Sequence, residues 1–221
     1  MEYLKLRLKE LMKPDSNMKS GSYLIRSVYF DDMHYSGLYA NEDGADDREK
    51  FRIRTYDNLS DIIKLELKGK KSGYTSKESC LVDKEFVETC IKNGNNVCTD
   101  SIGNIKLSKD TNQLIKKLWT KNRLNLLHPV CIVEYERTAF IEALGNVRIT
   151  FDKNIGMSNN VSSFFEDNIG AVPVLPKGQH ILEVKYDEFL PEYIKEILDT
   201  GVVQKTAFSK YYYARTGIMN N

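Results

Sequence analysis

No apolar stretch in this chain of 221 residues runs beyond five residues. A membrane-spanning helix needs about 20 and a signal peptide about 7–15, so the expectation is a soluble, cytoplasmic chain. Cysteine is scarce. Cys80, Cys90, Cys98 and Cys131 show neither C-x-x-C spacing nor the density of a disulfide scaffold. Cys80 and Cys131 sit in apolar-alternating stretches, where a thiol acts as a small hydrophobe. The three histidines, His34, His128 and His180, lie far from one another and from any paired cysteines, which removes the usual zinc patterns. Neither sign of charge is in excess: Lys+Arg 32 less Asp+Glu 31 leaves +1. A basic site must therefore come from local clustering, and nucleic acid is not an expected partner. There is no G-x-x-x-x-G-K-[ST] and no G-x-G-x-x-G, so neither a P-loop nor a dinucleotide fold explains any phosphate binding.

What is present suits an ordinary globular chain, 41% hydrophobic and 29% charged. Leucines 4, 8 and 11 predict a helix over Tyr3–Lys13, stopped by Pro14. Strands are expected at Tyr23–Phe30, Lys50–Tyr56 and Ile62–Lys70, with the acidic loop Asn41–Asp47 between the first two. Helices are expected at Lys84–Asn93, closed by Gly94, and at Asn112–Leu127, ended by Pro129, with Trp119 packing that helix onto the sheet. Strands then resume at Val130–Phe140, Asn146–Asp152 and His180–Asp187, with a long irregular stretch between the last two. Pro191 opens a helix over Glu192–Asp199, stopped at Gly201, and Thr206–Ala214 reads as a last strand. Its tyrosines, Tyr211–Tyr213, could offer a stacking platform, but alternation makes at least one of them core. With no repeat or low-complexity linker, residues 1–221 read as one α+β domain. Strands this numerous and this far apart in sequence favour a barrel or strongly curved antiparallel sheet.

Side chains alternate along a strand, so each strand has two chemically separate faces. Lys50, Arg52 and Arg54 oppose Phe51 and Ile53; Lys64, Glu66, Lys68 and Lys70 oppose Ile63, Leu65 and Leu67. Arg148, Thr150 and Asp152 oppose Val147, Ile149 and Phe151; Glu183, Lys185 and Asp187 oppose Leu182, Val184 and Tyr186. Arg137 and Lys210 add cations near the ends of the two remaining strands. A charged face is ordinarily the wet side of a sheet. Several strands sharing one instead gather cations on a concave surface, with a few carboxylates among them. Such a surface suits a polyphosphate group: Arg forks and Lys charges neutralise its oxygens, and a Glu beside them can hold a divalent metal. Arg26 and Lys153 read as surface.

The series YLIRSVYFDD, REKFRIRTY, IKLELKGKKSGYTSKES, VEYERTAF, NVRITFD, ILEVKYDEFLPEYI and TAFSKYYYAR resembles the VTC (vacuolar transporter chaperone) domain in its bacterial stand-alone form. That domain is the polyphosphate polymerase branch of the CYTH/triphosphate tunnel metalloenzyme superfamily. The likeness runs in order from about residue 3 to residue 216. It implies an α+β fold, an antiparallel β-barrel tunnel surrounded by helices. By position, Arg52 and Arg54 match the paired tunnel arginines, and Lys68, Lys77, Arg137 and Arg148 match further phosphate-binding cations. Glu183 matches the carboxylate that holds Mn²⁺ or Mg²⁺, with Glu66 a second candidate, and Lys185, Lys205 and Lys210 complete the basic lining. Family members usually begin with an extra strand, R-H-E-x-K-Y, before the first helix; here the first strand is expected to be missing. The implied activity is that of a phosphotransferase, moving the ATP γ-phosphoryl group onto inorganic polyphosphate. Export of product would fall to a membrane-protein partner. A tunnel triphosphatase and a polyphosphate- or nucleotide-binding module without turnover remain alternatives.

Overall fold

A computed structural model describes residues 2–18, 21–57, 62–94, 109–201 and 205–219; Cys98 lies outside them. The described residues include helices α1 (Glu2–Leu11), α2 (Ser36–Glu42), α3 (Lys84–Asn93), α4 (Lys109–Asn125), α5 (Glu192–Leu198) and α6 (Lys210–Met219). The strands among them are β1 (Lys13–Pro14), β2 (Tyr23–Asp31), β3 (Arg48–Tyr56), β4 (Ile63–Lys71), β5 (Tyr74–Val82), β6 (His128–Glu142), β7 (Val147–Ser158), β8 (Val172–Pro173) and β9 (Ile181–Lys185). Their order is β5-β4-β3-β2-β6-β7-β8, with β1 beside β6 and β9 beside β7. The α+β class and antiparallel pairing are as expected. The chain groups into two compact units, one of residues 1–24, 135–155 and 175–208 and one of residues 25–134, 156–174 and 209–221. No helix among the described residues is long and apolar enough to cross a membrane.

In the larger unit, alternation does the sorting. Val28 and Phe30 of β2, Phe51 and Ile53 of β3, and Leu65 and Leu67 of β4 turn to one side and pack with Phe86, Val87 and Cys90 of α3 and Leu114 and Leu118 of α4. Trp119 packs on this core, as the sequence implies. Asp83 starts α3 by accepting the Phe86 amide at 2.7 Å. The buried thiols are inert: burial pushes Cys90 and Cys131 up to about 12.

Strand β5 is absent from the sequence reading. Its signal was Ser72-Gly73, a two-residue loop with φ of 51° and 80° that joins the paired residues Lys71 and Tyr74. Two positive φ values are what a tight hairpin of this hand requires. The stretch after Asp152 is also less irregular than expected: β7 continues to Ser158, and a 3₁₀ turn spans Val161–Phe165. Helix α2 was not foreseen.

The C-terminal segment corrects the sequence reading outright. Thr206–Ala214 is not a strand; α6 covers Lys210–Met219. The tyrosine run has strand propensity, but Tyr211 and Ala214, three residues apart, are both buried, which is helical spacing. Tyr211 further donates its hydroxyl to Asp31 of β2, and Tyr211 is thus the core member of the tyrosine run.

Arg26 is a second correction. It is 1% exposed rather than a surface residue. Its Nε donates to Glu134 Oε2 at 2.5 Å, and Nη1 donates to the carbonyls of Phe164 and Glu166 at 2.8 and 2.6 Å. A buried cation needs this full set of acceptors, and β2 shows no polar/apolar alternation from which it could have been read.

In the smaller unit, Leu4, Leu8 and Met12 meet Val147, Ile149 and Phe151 of β7 and Ile194 and Ile197 of α5. Leu11, expected in the apolar stripe, is half exposed; Met12 takes the inward position one turn after Leu8.

Arg26→Ala leaves Glu134 and the loop carbonyls without their donor. It is expected to lower unfolding free energy by about 3 kcal/mol, with Arg26→Lys in between, as measured by denaturant unfolding.

Candidate functional site

The sequence-predicted site residues fall into two groups, each within one unit. In the larger unit, the register sets Tyr29 opposite Arg52, Arg52 opposite Glu66, and Glu66 opposite Ser79. The next row is Lys50, Lys68 and Lys77. At the Arg52 row this face is no wet side, since Arg52, Arg54 and Glu66 are 9%, 8% and 1% exposed, whereas Lys68 and Lys77 of the next row are exposed. Glu66 Oε2 accepts Arg52 Nε at 2.6 Å and lies 2.6 Å from Nη2. Lys77 Nζ stands 2.7 Å from Glu66 Oε1. Arg52 Nη1 also donates to the Tyr29 hydroxyl at 3.4 Å, and Arg54 Nε donates to Ser27 Oγ at 3.1 Å.

Burial alone would raise the Glu66 carboxyl, but Arg52, Arg54 and Lys77 together outweigh it and hold the group down at about 2. Burial and the Arg48 charge push Lys50 down to about 8, weakening its hold on its proton. The face therefore holds one ionised carboxylate among several cations, an arrangement able to take up phosphoryl oxygens.

In the smaller unit, Arg137 forms a two-pronged pair with the fully buried Asp152, Nε to Oδ1 at 2.7 Å and Nη2 to Oδ2 at 2.8 Å. Burial opposes the Arg137 charge, but Asp152 more than compensates and the guanidinium is held more firmly protonated than usual. Glu183 lies 3.7 Å from Arg137 Nη2 and 3.2 Å from Lys185 Nζ. Arg148 Nη2 donates to Asp15 Oδ2 at 2.6 Å and to the Tyr23 hydroxyl at 3.2 Å.

The two proposed metal carboxylates differ. Both oxygens of Glu66 are closely held by cations, whereas Glu183 is partly exposed and its cation contacts are longer. No group of three or more His, Cys, Asp or Glu suited to a metal occurs among the described residues. A Mg²⁺- or Mn²⁺-type ion on Glu183 would have one protein carboxylate and would take its other ligands from water or phosphate oxygens.

Two predicted cations do not lie on strands. Lys210 opens α6 instead of lying on a strand, and Lys205 is exposed in the segment before that helix. Sequence reasoning missed Asp15, Tyr23, Ser27 and Tyr29 as partners of the site arginines. For the β2 residues the reason is plain, because eight of the nine β2 positions are buried and no alternation marks one face.

The depressed Glu66 pKa carries a pH signature. Its contribution to stability is fully present above about pH 4.5 and is lost as pH falls toward 2. Glu66→Gln is expected to cost about 3 kcal/mol at neutral pH, with the gap to the parent narrowing over that acid range; urea unfolding at stepped pH measures it.

Comparison with known proteins places this geometry. No curated protein sequence matches the chain. Among solved structures, an adenylyl cyclase-like protein from Hippeastrum, described as having a dominant triphosphatase activity, superimposes with a TM-score of 0.57 at 13% identity, covering 97% of this chain and 89% of that one. An adenylate cyclase-like protein from Bacillus halodurans gives a TM-score of 0.52 at 13% identity, covering 95% and 89%. These likenesses show the fold, that of the triphosphate tunnel proteins. The VTC domain model matches residues 1–217, and the chain belongs to the VTC domain family.

Proposed function

We propose that the chain is a polyphosphate polymerase, transferring the γ-phosphoryl group of ATP to the end of a growing inorganic polyphosphate chain. The observation that supports this reading most directly is the buried Arg52–Glu66 pair with Arg54, joined by the half-exposed Lys77, in a chain of the VTC domain family. Fixed cations of this kind neutralise a triphosphate without rearranging as charge moves during the reaction.

In the proposed step, an oxygen of the chain's terminal phosphate attacks the γ-phosphorus. The bond from that phosphorus to the β,γ-bridging oxygen breaks, and the electron pair leaves with ADP. No covalent enzyme intermediate is required. Arg52 and Arg54 grip phosphoryl oxygens, with Lys68 and Lys77 beside them; Arg137, Arg148 and Lys210 serve the transferred group, and Lys185 and Lys205 the polyanionic chain. Glu66 keeps Arg52 and Lys77 in place. Glu183 would hold the divalent ion, Mn²⁺ or Mg²⁺, which when bound neutralises charge on phosphoryl oxygens.

Incubation with ATP and Mn²⁺ is expected to yield a ladder of long chains on a polyphosphate-stained gel, with matching ADP. ADP and free phosphate without a ladder would replace this reading with a triphosphatase. Bound ATP without ADP would replace it with a binding module. Arg54→Ala, which leaves the Arg52–Glu66 pair intact, is expected to weaken binding of a non-hydrolysable ATP analogue at least tenfold. Glu183→Gln is expected to lower metal-dependent turnover about 100-fold with little change in thermal midpoint. Unchanged metal dependence in that variant would move the ligand elsewhere.

A further inference from the structure

Two arginines of the smaller unit meet their carboxylates in different ways. Arg137 offers Nε and Nη2 together to both oxygens of Asp152, the two-pronged arrangement that a guanidinium ordinarily adopts. Arg148 reaches Asp15 Oδ2 through Nη2 alone, and its Nε is buried without a hydrogen-bond partner. A buried unpaired N–H costs roughly 1–3 kcal/mol, so something must hold Arg148 in that pose.

The cause lies in the Asp15 loop. Asp15 Oδ1 already accepts two bonds, from the Asn17 amide at 3.0 Å and Asn17 Nδ2 at 2.7 Å. The Asp15 amide donates to the Ala139 carbonyl at 3.0 Å, and neighbouring Pro14 is registered opposite Phe140. The carboxylate is thus fixed at both backbone and side chain, 4% exposed, with only Oδ2 available to an arginine. Tyr23 takes the same Nη2 at 3.2 Å. Arg148 is consequently gripped by one nitrogen, while its side chain remains 41% exposed and Nη1 makes no hydrogen bond among the described residues.

We propose that Asp15 is a positioning residue, which with Tyr23 holds Arg148 by Nη2 and presents its Nη1 edge to a phosphoryl group. The proposal rests on the phosphate-binding reading above. An unrestrained arginine loses up to about 2 kcal/mol of rotamer freedom on binding a ligand; here Asp15 and Tyr23 impose that restriction in advance.

Titration calorimetry with inorganic tripolyphosphate, alongside thermal unfolding, tests it. Asp15→Asn is expected to weaken binding about tenfold in the parent and less than twofold in an Arg148→Ala background. Its effect on the thermal midpoint should also be smaller beside Arg148→Ala, where the Asp15–Arg148 pair is already lost. Tyr23→Phe, which removes a single hydroxyl, is expected to weaken binding about threefold in the parent and not at all beside Arg148→Ala, and it decides the matter if Asp15→Asn does not fold. Equal losses in both backgrounds would make Asp15 and Tyr23 merely structural and overturn the proposal. So would an Arg148→Ala protein that binds as tightly as the parent, with the function in phosphate binding left standing. A parent that binds no tripolyphosphate would overturn both.

Discussion

A guanidinium buried in a sheet needs an anion at the same depth, and for Arg52 that anion is Glu66. Removing either ion from water costs several kcal/mol, and the attraction between them offsets this only with close geometry. Glu66 achieves that geometry by lying between β3 and β5, engaging Arg52 on one side and Lys77 on the other. The same contacts fix the register. A one-residue slip of β4 would carry Glu66 to the apolar side and bring Leu65 or Leu67 among the cations. Packing of Phe51, Ile53, Leu65 and Leu67 on α3 and α4 opposes that slip from the other face. Charge pairing and core packing therefore select one arrangement of these three strands.

The period-two pattern made β3 and β4 legible because each has one apolar face and one ionic face, and both faces are occupied as the pattern implies. What the pattern could not supply was burial of the ionic face. Alternation on one strand is identical whether its polar side meets water or other charged strands; the recurrence of charged faces on several strands and the similarity to the VTC family separated the two. Strand β2 shows the converse difficulty. Both of its faces are buried, so Arg26 carried no sign of its role and Ser27 and Tyr29 none of theirs. In α6 the local preference of three tyrosines pointed to strand, while the decisive contact, Tyr211 with Asp31, joins residues 180 apart in sequence. The two-residue loop Ser72-Gly73 was readable in principle, since its backbone demands are local.

Position along a strand also leaves open how a charged side chain is held. Arg137 and Arg148 both lie on strands and both meet an aspartate, yet their pairings differ in kind. Asp152 offers both oxygens to Arg137, and the pair is two-pronged. Asp15 shares its carboxylate with Asn17 two residues on, a turn contact that leaves one oxygen for Arg148. An Asp-x-Asn turn far from β7 thereby decides the orientation of an arginine on it.

The near-zero net charge is consistent with this economy of placement. Acidic groups elsewhere pair with exposed lysines, as Glu78 does with Lys117 and Glu49 with Lys121. Such surface pairs contribute little to stability, but they cancel the long-range field that a cation-rich strand face would otherwise project. A polyanion approaching this chain gains little from attraction at a distance. On the proposed function, affinity would arise at contact, from arginines already desolvated and oriented by buried carboxylates. Selection would then fall on the spacing and number of phosphoryl oxygens rather than on total negative charge.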